Sequence, residues 1–200
     1  MYPSAAPVIK LYIRNMVCPS CQRIVRRELE KTGLLIYRVE LGKAEVTVPA
    51  GVVLDREQIQ AGLAEFGLYL LDDPREQLVE QIKAVVVQLI HYTSLEEQPY
   101  QNHSIFISEQ LDRDYSYLSH QFSLREGLTL EKYIIRQRVE RVKELLSYRD
   151  ARVKEIAHQL GYSSAAHLTN QFRQVTGLTP TQFQALGPGS AGRLSLDDLL

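Results

Sequence analysis

The C-terminal third of the chain repeats itself at an offset of fifty residues. Leu118, Phe122, Gly127, Leu128, Thr129 and Tyr133 are answered by Leu168, Phe172, Gly177, Leu178, Thr179 and Phe183, and Gln121 by Gln171. A repeat of fixed period means that one supersecondary unit is built twice. Here the unit reads as a short helix, a tight turn and a second helix, with Gly-Leu-Thr stopping it before the next helix begins. Two such units joined by a helix suit the reading of two neighbouring stretches of one ligand, and DNA is the first ligand to consider.

The chain has 200 residues, 23 basic and 24 acidic, so its overall charge carries no nucleic-acid signature. The charge is uneven, however. Between 132 and 154, Lys132, Arg136, Arg138, Arg141, Lys143, Arg149, Arg152 and Lys154 face only Glu140, Glu144 and Asp150. A local basic stripe can touch phosphates on a neutral protein, although an ordinary solvated helix face has the same composition. No run of 18 apolar residues and no charged-then-apolar leader is found, which predicts a cytoplasmic protein with no membrane partner.

The first seventy or so residues follow a different pattern. Residues 8–14 alternate as a strand, a loop holds both cysteines, and Ile24, Val25 and Leu29 share one face of a helix over 22–32 that Gly33 ends. Runs at 34–41 and 43–48 pivot at Gly42 as a hairpin. Asp55 caps a helix in which Ile59, Leu63 and Phe66 recur at helical spacing, and 67–71 forms a last strand. The order βαββαβ predicts an α+β, ferredoxin-like domain over 1–73. After Asp72-Asp73-Pro74 an all-α double helix-turn-helix domain is expected over 74–186, with helices at 75–92, 104–111, 115–126, 130–147, 152–160, 164–175 and 180–186. Residues 93–103 read as a loop and 187–200 as a disordered tail.

Within each repeat the Leu and Phe four residues apart belong to the core. The opposite face of the first unit shows Ser116, Ser119, His120 and Ser123, and that of the second shows Ala165, Ala166, Thr169, Asn170 and Arg173. Small hydrogen-bonding residues on a helix after a tight turn are what a major groove accepts. The joining helix spans roughly 27 Å at about 1.5 Å per residue. That is comparable with the ~34 Å between successive major-groove faces on one side of a duplex. Arg136, Arg138 and Arg141 on this helix are candidate phosphate clamps, each also able to pair with Glu140 or Glu144. The reading faces are poor in Arg, so phosphate contacts and DNA shape are expected to weigh heavily.

Residues 153–183, from Val153-Lys154-Glu155-Ile156-Ala157 through Gly161-Tyr162-Ser163 to Thr176-Gly177-Leu178-Thr179-Pro180, resemble the signature of AraC-type transcription regulators. The resemblance covers about 74–186. It implies two recognition helices entering adjacent major grooves of double-stranded DNA, with Ser116, Ser119 and His120 matching the first base-reading face. Ala165, Ala166, Thr169 and Asn170 match the second.

Cys18 and Cys21 are the two cysteines of the chain, three positions apart where a strand gives way to a helix. Backbone N–H groups and the helix dipole lower thiol pKa at such a place. Two thiolates so spaced grip a soft cation, Cu(I) above all, whereas Zn(II) prefers four ligands and all five histidines lie in the C-terminal half. Asn15-Met16-Val17-Cys18-Pro19-Ser20-Cys21 on a βαββαβ pattern resembles the heavy-metal-associated domain of copper chaperones and copper-pumping ATPases. The resemblance implies that Cys18 and Cys21 are metal ligands and that Met16 packs beneath the loop. Asn15 stands where that family has Gly, and Gly67 is followed by Leu68 where Lys or an aromatic is usual. A dithiol redox switch and a ligand-free interaction module are the other readings of the pair.

Together the halves predict a DNA-binding transcription regulator that senses Cu(I) or redox state through its N-terminal Cys-x-x-Cys. Metal would either bridge two chains into a homodimer or release an interdomain contact. The alternative is a copper carrier whose helical half docks to a protein partner. No Ser/His/Asp or paired-carboxylate constellation can be argued, so no enzyme is expected.

Overall fold

The computed structural model describes residues 7–93, 103–147 and 152–186. The chain divides into two compact units, residues 1–85 and 86–200.

In the first unit β1 (Ile9–Arg14), α1 (Pro19–Lys31), β2 (Leu35–Glu40), β3 (Lys43–Thr47), α2 (Arg56–Ala64) and β4 (Tyr69–Leu71) succeed one another. The strands form one antiparallel sheet in the order β2-β3-β1-β4. Period-two alternation decides what each strand buries. Leu11 and Ile13 of β1 and Ala44 and Val46 of β3 point into a core completed by Val25 and Leu29 of α1 and Ile59 and Leu63 of α2. Gly62 lets the two helices approach, since a Cβ there would lie 3.2 Å from a carboxylate oxygen of Glu28. Gly42 turns the β2–β3 hairpin at φ +72.

Three details differ from the sequence expectation. The first helix begins at Pro19 instead of residue 22, because Pro at the first helical position needs no N–H partner and has its φ preset. Cys21 therefore lies in the first helical turn and not in a loop. The second helix ends at Ala64, which leaves Phe66 outside it and exposed, with the Arg27 guanidinium 5.2 Å above its ring.

A further helix, α3 (Pro74–Val87), starts where predicted, and the first compact unit extends into it as far as residue 85. The reason is local packing. Glu76 of α3 pairs with Arg14 of β1 at 3.2 Å, and the β2–β3 turn sits close enough to α3 that a Cβ on Gly42 would lie 3.3 Å from the Ala84 Cβ.

The second unit opens with a π-helical turn, Gln88–Tyr92, where α3 loses its regular hydrogen-bond register. Then come α4 (His103–Leu111), α5 (Tyr115–Glu126), α6 (Leu130–Leu146), α7 (Val153–Gln159), α8 (Ala165–Thr176) and α9 (Pro180–Ala185). The predicted helices are found within about two residues of their expected bounds, the margin usual for helix ends. Most of the predicted 93–103 loop and the whole 187–200 tail lie outside the described residues. No helix among the described residues is long and apolar enough to cross a membrane.

The fifty-residue repeat becomes a repeat of contacts. Leu118 and Phe122 in α5, like Leu168 and Phe172 in α8, are completely buried. Phe122 packs on Tyr133 with ring centroids 5.2 Å apart, and Phe172 on Phe183 at 5.5 Å. Gly127 and Gly177 end α5 and α8 in the left-handed region, at φ +68 and +77. Two residues later Thr129 and Thr179 cap α6 and α9, each side chain accepting from a backbone N–H three residues on at 3.2 Å.

Candidate nucleic-acid interface and dithiol site

Each second helix of the repeat is started by its own cap. Asp114 accepts from the N–H groups of Ser116 and Tyr117 at 2.8 and 3.2 Å, and Ser164 from that of His167 at 3.1 Å. With the Leu and Phe of each helix fixed inward, the opposite faces are set by helical geometry alone. On α5, Ser116 and His120 are exposed, while Ser119 and Ser123 are half-buried. On α8, Ala166, Asn170 and Arg173 are exposed, and Ala165 and Thr169 are half-buried. The Ser123 and Thr169 hydroxyls donate to the carbonyls of Ser119 and Ala165, both at 2.8 Å. Their remaining outward capacity is to accept, which suits a base amino group.

The three arginines of α6 are placed differently from one another. Arg141 pairs with Glu144 at 2.8 Å, the partner foreseen in the sequence. Arg138 is half-buried. Its guanidinium donates to the carbonyl of Leu160, which ends α7, and lies 4.6 Å from the centre of the Tyr162 ring. Burial pushes its pKa down, opposed by Tyr162 and Glu131. Arg136 is half-buried.

Several groups escaped the sequence reading. Tyr162, nearly buried, donates its hydroxyl to Oε1 of Gln171 at 2.8 Å and meets the His167 ring edge-on at 5.4 Å. Gln137, completely buried, donates to the Tyr133 hydroxyl and lies 3.0 Å from Nε2 of His91 in the π-turn. Arg113 stacks 5.9 Å above Tyr117 at the start of α5. The repeat itself carried one usable signal, because Gln171 is matched by Gln121.

Residues 107–185 match the family described as a helix-turn-helix domain. Curated relatives match part of the chain. The probable transcriptional regulator LumQ of Photobacterium leiognathi is 30% identical over 63 residues, 32% of this chain and 25% of that protein. An uncharacterized HTH-type transcriptional regulator of Staphylococcus aureus is 33% identical over 82 residues, 41% of this chain and 11% of that protein. The chain thus spans a quarter or less of the length of these relatives. Among solved structures, the C-terminal domain of the response regulator yesN from Fusobacterium nucleatum is 25% identical with a TM-score of 0.43, covering 56% of this chain and 99% of that one. An AraC-type transcriptional regulator from Chromobacterium violaceum is 20% identical with a TM-score of 0.45, covering 54% of this chain and 93% of that one.

The dithiol lies at the other end of the sequence, outside residues 107–185. Cys18 is the N-cap of α1 in extended backbone, Pro19 takes the first helical position, and the two sulfurs are 3.2 Å apart as free, half-buried thiols. Asn15, with φ +69, shapes the loop before them, and its side-chain amide donates to the carbonyl of Gly67 at 2.9 Å. Met16 is buried in the core beneath. The expected lowering of thiol pKa is reversed at Cys21, whose pKa is raised. Burial pushes this thiol up and its hydrogen bond with Cys18 adds to that, while backbone hydrogen bonds at Val17 and Cys18 pull it down. Among the described residues no group of three or more His, Cys, Asp or Glu side chains is gathered as a metal cage, so the donor set here is the two sulfurs.

Proposed function

We propose that this chain is a sequence-specific DNA-binding transcription regulator of AraC type. Its base-reading side chains would be Ser116, Ser119, His120 and Ser123 on α5 and Ala165, Ala166, Thr169, Asn170 and Arg173 on α8. The observation that carries the reading is the doubled helix-turn-helix, with capped second helices whose outward faces present short polar groups. Names of regulators among the curated relatives agree with it. Arg136 and Arg141 remain phosphate-contact candidates on α6. Steep weakening of binding with added salt separates this reading from a carrier that docks to protein, because counterions are released only from a polyanion.

The N-terminal unit is proposed as a ferredoxin-like, heavy-metal-associated-type sensor. Its βαββαβ order and antiparallel sheet support this, as does a paired thiol donor set suited to a soft cation such as Cu(I). When bound, the ion would supply a positive charge that holds both sulfurs as thiolates. Asn15 would keep the loop in its left-handed turn, and Met16 would anchor it from below. Regulation requires that metal favour one DNA-binding state or oligomer, a homodimer included, over another.

The 3.2 Å separation of two free thiols favours a second reading, a dithiol switch. In it the two thiols pass two protons and two electrons to a small disulfide such as oxidised glutathione, whose S–S bond breaks to give two thiols as the Cys18–Cys21 S–S bond forms. The test is selection from a random duplex library with reduced, oxidised and Cu(I)-loaded protein in parallel, repeated with Cys18→Ser/Cys21→Ser. One motif in all wild-type states leaves a DNA reader without a thiol sensor. A motif confined to the Cu(I) or the oxidised sample, and insensitive to that treatment in the double variant, identifies the effector. No enriched motif in any state rejects the regulator reading.

A further inference from the structure

The α6 helix carries two adjacent polar side chains that turn inward in different directions. Gln137 serves the first half of the helix-turn-helix domain, tied to Tyr133 and to His91 of the π-turn. Arg138, about 100° further around the helix, serves the second half. Its guanidinium holds the Leu160 carbonyl at the end of α7 and covers the Tyr162 ring. Tyr162 in turn holds Gln171 in the middle of α8, one residue from Asn170. Gly161 between them has φ +66, and a Cβ there would lie 3.7 Å from the Arg138 guanidinium. The turn between α7 and α8 is thus seated directly on Arg138.

In the first half Asp112, which has no ring to stack on and no phenol, occupies the place of Tyr162. Asp112 is exposed and turns the backbone itself at φ +49. The two halves share caps and aromatic pairs, and in the second α8 is tethered to α6 through Arg138, Tyr162 and Gln171.

We propose that Arg138 is a positioning residue that fixes the orientation of α8, and so the base preference of the second half of the domain, through Tyr162 and Gln171. It acts without touching DNA. The proposal rests on the DNA-reading interpretation above. Its physical basis is that a guanidinium stacked on a ring and bound to a carbonyl is planar and directional, properties an ammonium lacks. Base-edge hydrogen bonds are short and angular, so a small rotation of α8 weakens discrimination before it weakens phosphate contacts.

The experiment compares wild type, Arg138→Lys, Arg138→Gln and Tyr162→Phe by duplex selection, salt-dependent binding and amide hydrogen exchange. Asn170→Ala assigns which half of the enriched motif α8 reads. We expect Arg138→Lys and Tyr162→Phe each to relax preference in that half about tenfold, the order of one lost base contact. The other half and the salt slope should stay unchanged, and amides of 161–168 should exchange faster. Tyr162→Phe keeps the ring and removes only the link to Gln171, so its effect cannot come from lost packing. Wild-type behaviour of Arg138→Lys with a salt slope smaller by about one in Arg138→Gln would mark a phosphate clamp and overturn the proposal. So would faster exchange with both halves of the motif intact. If wild type enriches no motif, the DNA reading fails by itself, and unaltered exchange in both variants then rejects the relay independently.

Discussion

Asn15 holds its backbone at φ +69 and spends its side-chain amide on the Gly67 carbonyl. Both facts bear on why an asparagine can stand at a left-handed turn where glycine is the usual residue. Asn tolerates the left-handed region at small cost, and its amide returns a hydrogen bond that Gly cannot make. We expect Asn15→Gly to lose only that bond, about 1 kcal/mol, and Asn15→Ala to lose it and add strain, about 2 kcal/mol in all. Denaturant melts of the full chain followed by a probe in the first unit check this. Equal stability of Ala and Gly variants would show that the left-handed turn relaxes. At the same scale, Arg138 teaches a general point. A basic residue in a basic stripe reads as a phosphate contact until its surroundings are known. Here a carbonyl and an aromatic ring claim it first.

Among the elements, the Gly-Leu-Thr sequences show why the repeat is visible at all. Gly127 and Gly177 are needed for left-handed C-caps, and Thr129 and Thr179 for the next N-caps. Thr179 does more than Thr129. Gln182 returns a side-chain hydrogen bond to the Thr179 N–H at 2.8 Å, which closes a capping box. Helix α9 has only six residues, too few to persist without its cap and the Phe183 contact. Thr179→Ala is therefore expected to cost about 1–2 kcal/mol. It should fray α9, seen as faster amide exchange over 180–186, whereas Thr129→Ala in front of the 17-residue α6 should leave exchange in that helix little changed. Equal fraying in both helices would refute this asymmetry. The π-turn at 88–92 is the opposite case, an irregularity without a sequence signal, since a helical pattern over 75–92 looks uninterrupted.

For the molecule as a whole, acidity should act first through the helical unit. Burial, with the neighbouring Arg138 charge, lowers His103 from 6.5 to about 4. Between those values the unfolded chain binds a proton that the folded chain does not, so stability rises with pH across this window. It is full above pH 6.5 and falls as pH drops toward 4. The shift corresponds to about 3 kcal/mol, which the partial exposure of the ring cuts to about 1–2 kcal/mol. Melts of wild type and His103→Gln at pH 7.5, 6 and 4.5 test it. The variant should lose this part of the acid sensitivity, and identical slopes for the two proteins would exclude His103 as its source.

What the sequence by itself determined is whatever repeats or alternates. The helices, the βαββαβ order, the caps and the core faces of α5 and α8 follow from periodicity and from residue types with one conformational use. Cys18 and Cys21 stood out because their spacing is a local property. The tertiary structure decided what non-local packing controls. It started α1 at Pro19, ended α2 at Ala64 and left Phe66 exposed. It also raised the Cys21 thiol by burial where the local helix end alone would lower it. Arg138 and Tyr162 lie 24 positions apart in sequence, yet the guanidinium rests 4.6 Å from the ring. Side chains so distant along the chain have no periodic signature, because their meeting depends on how whole helices pack.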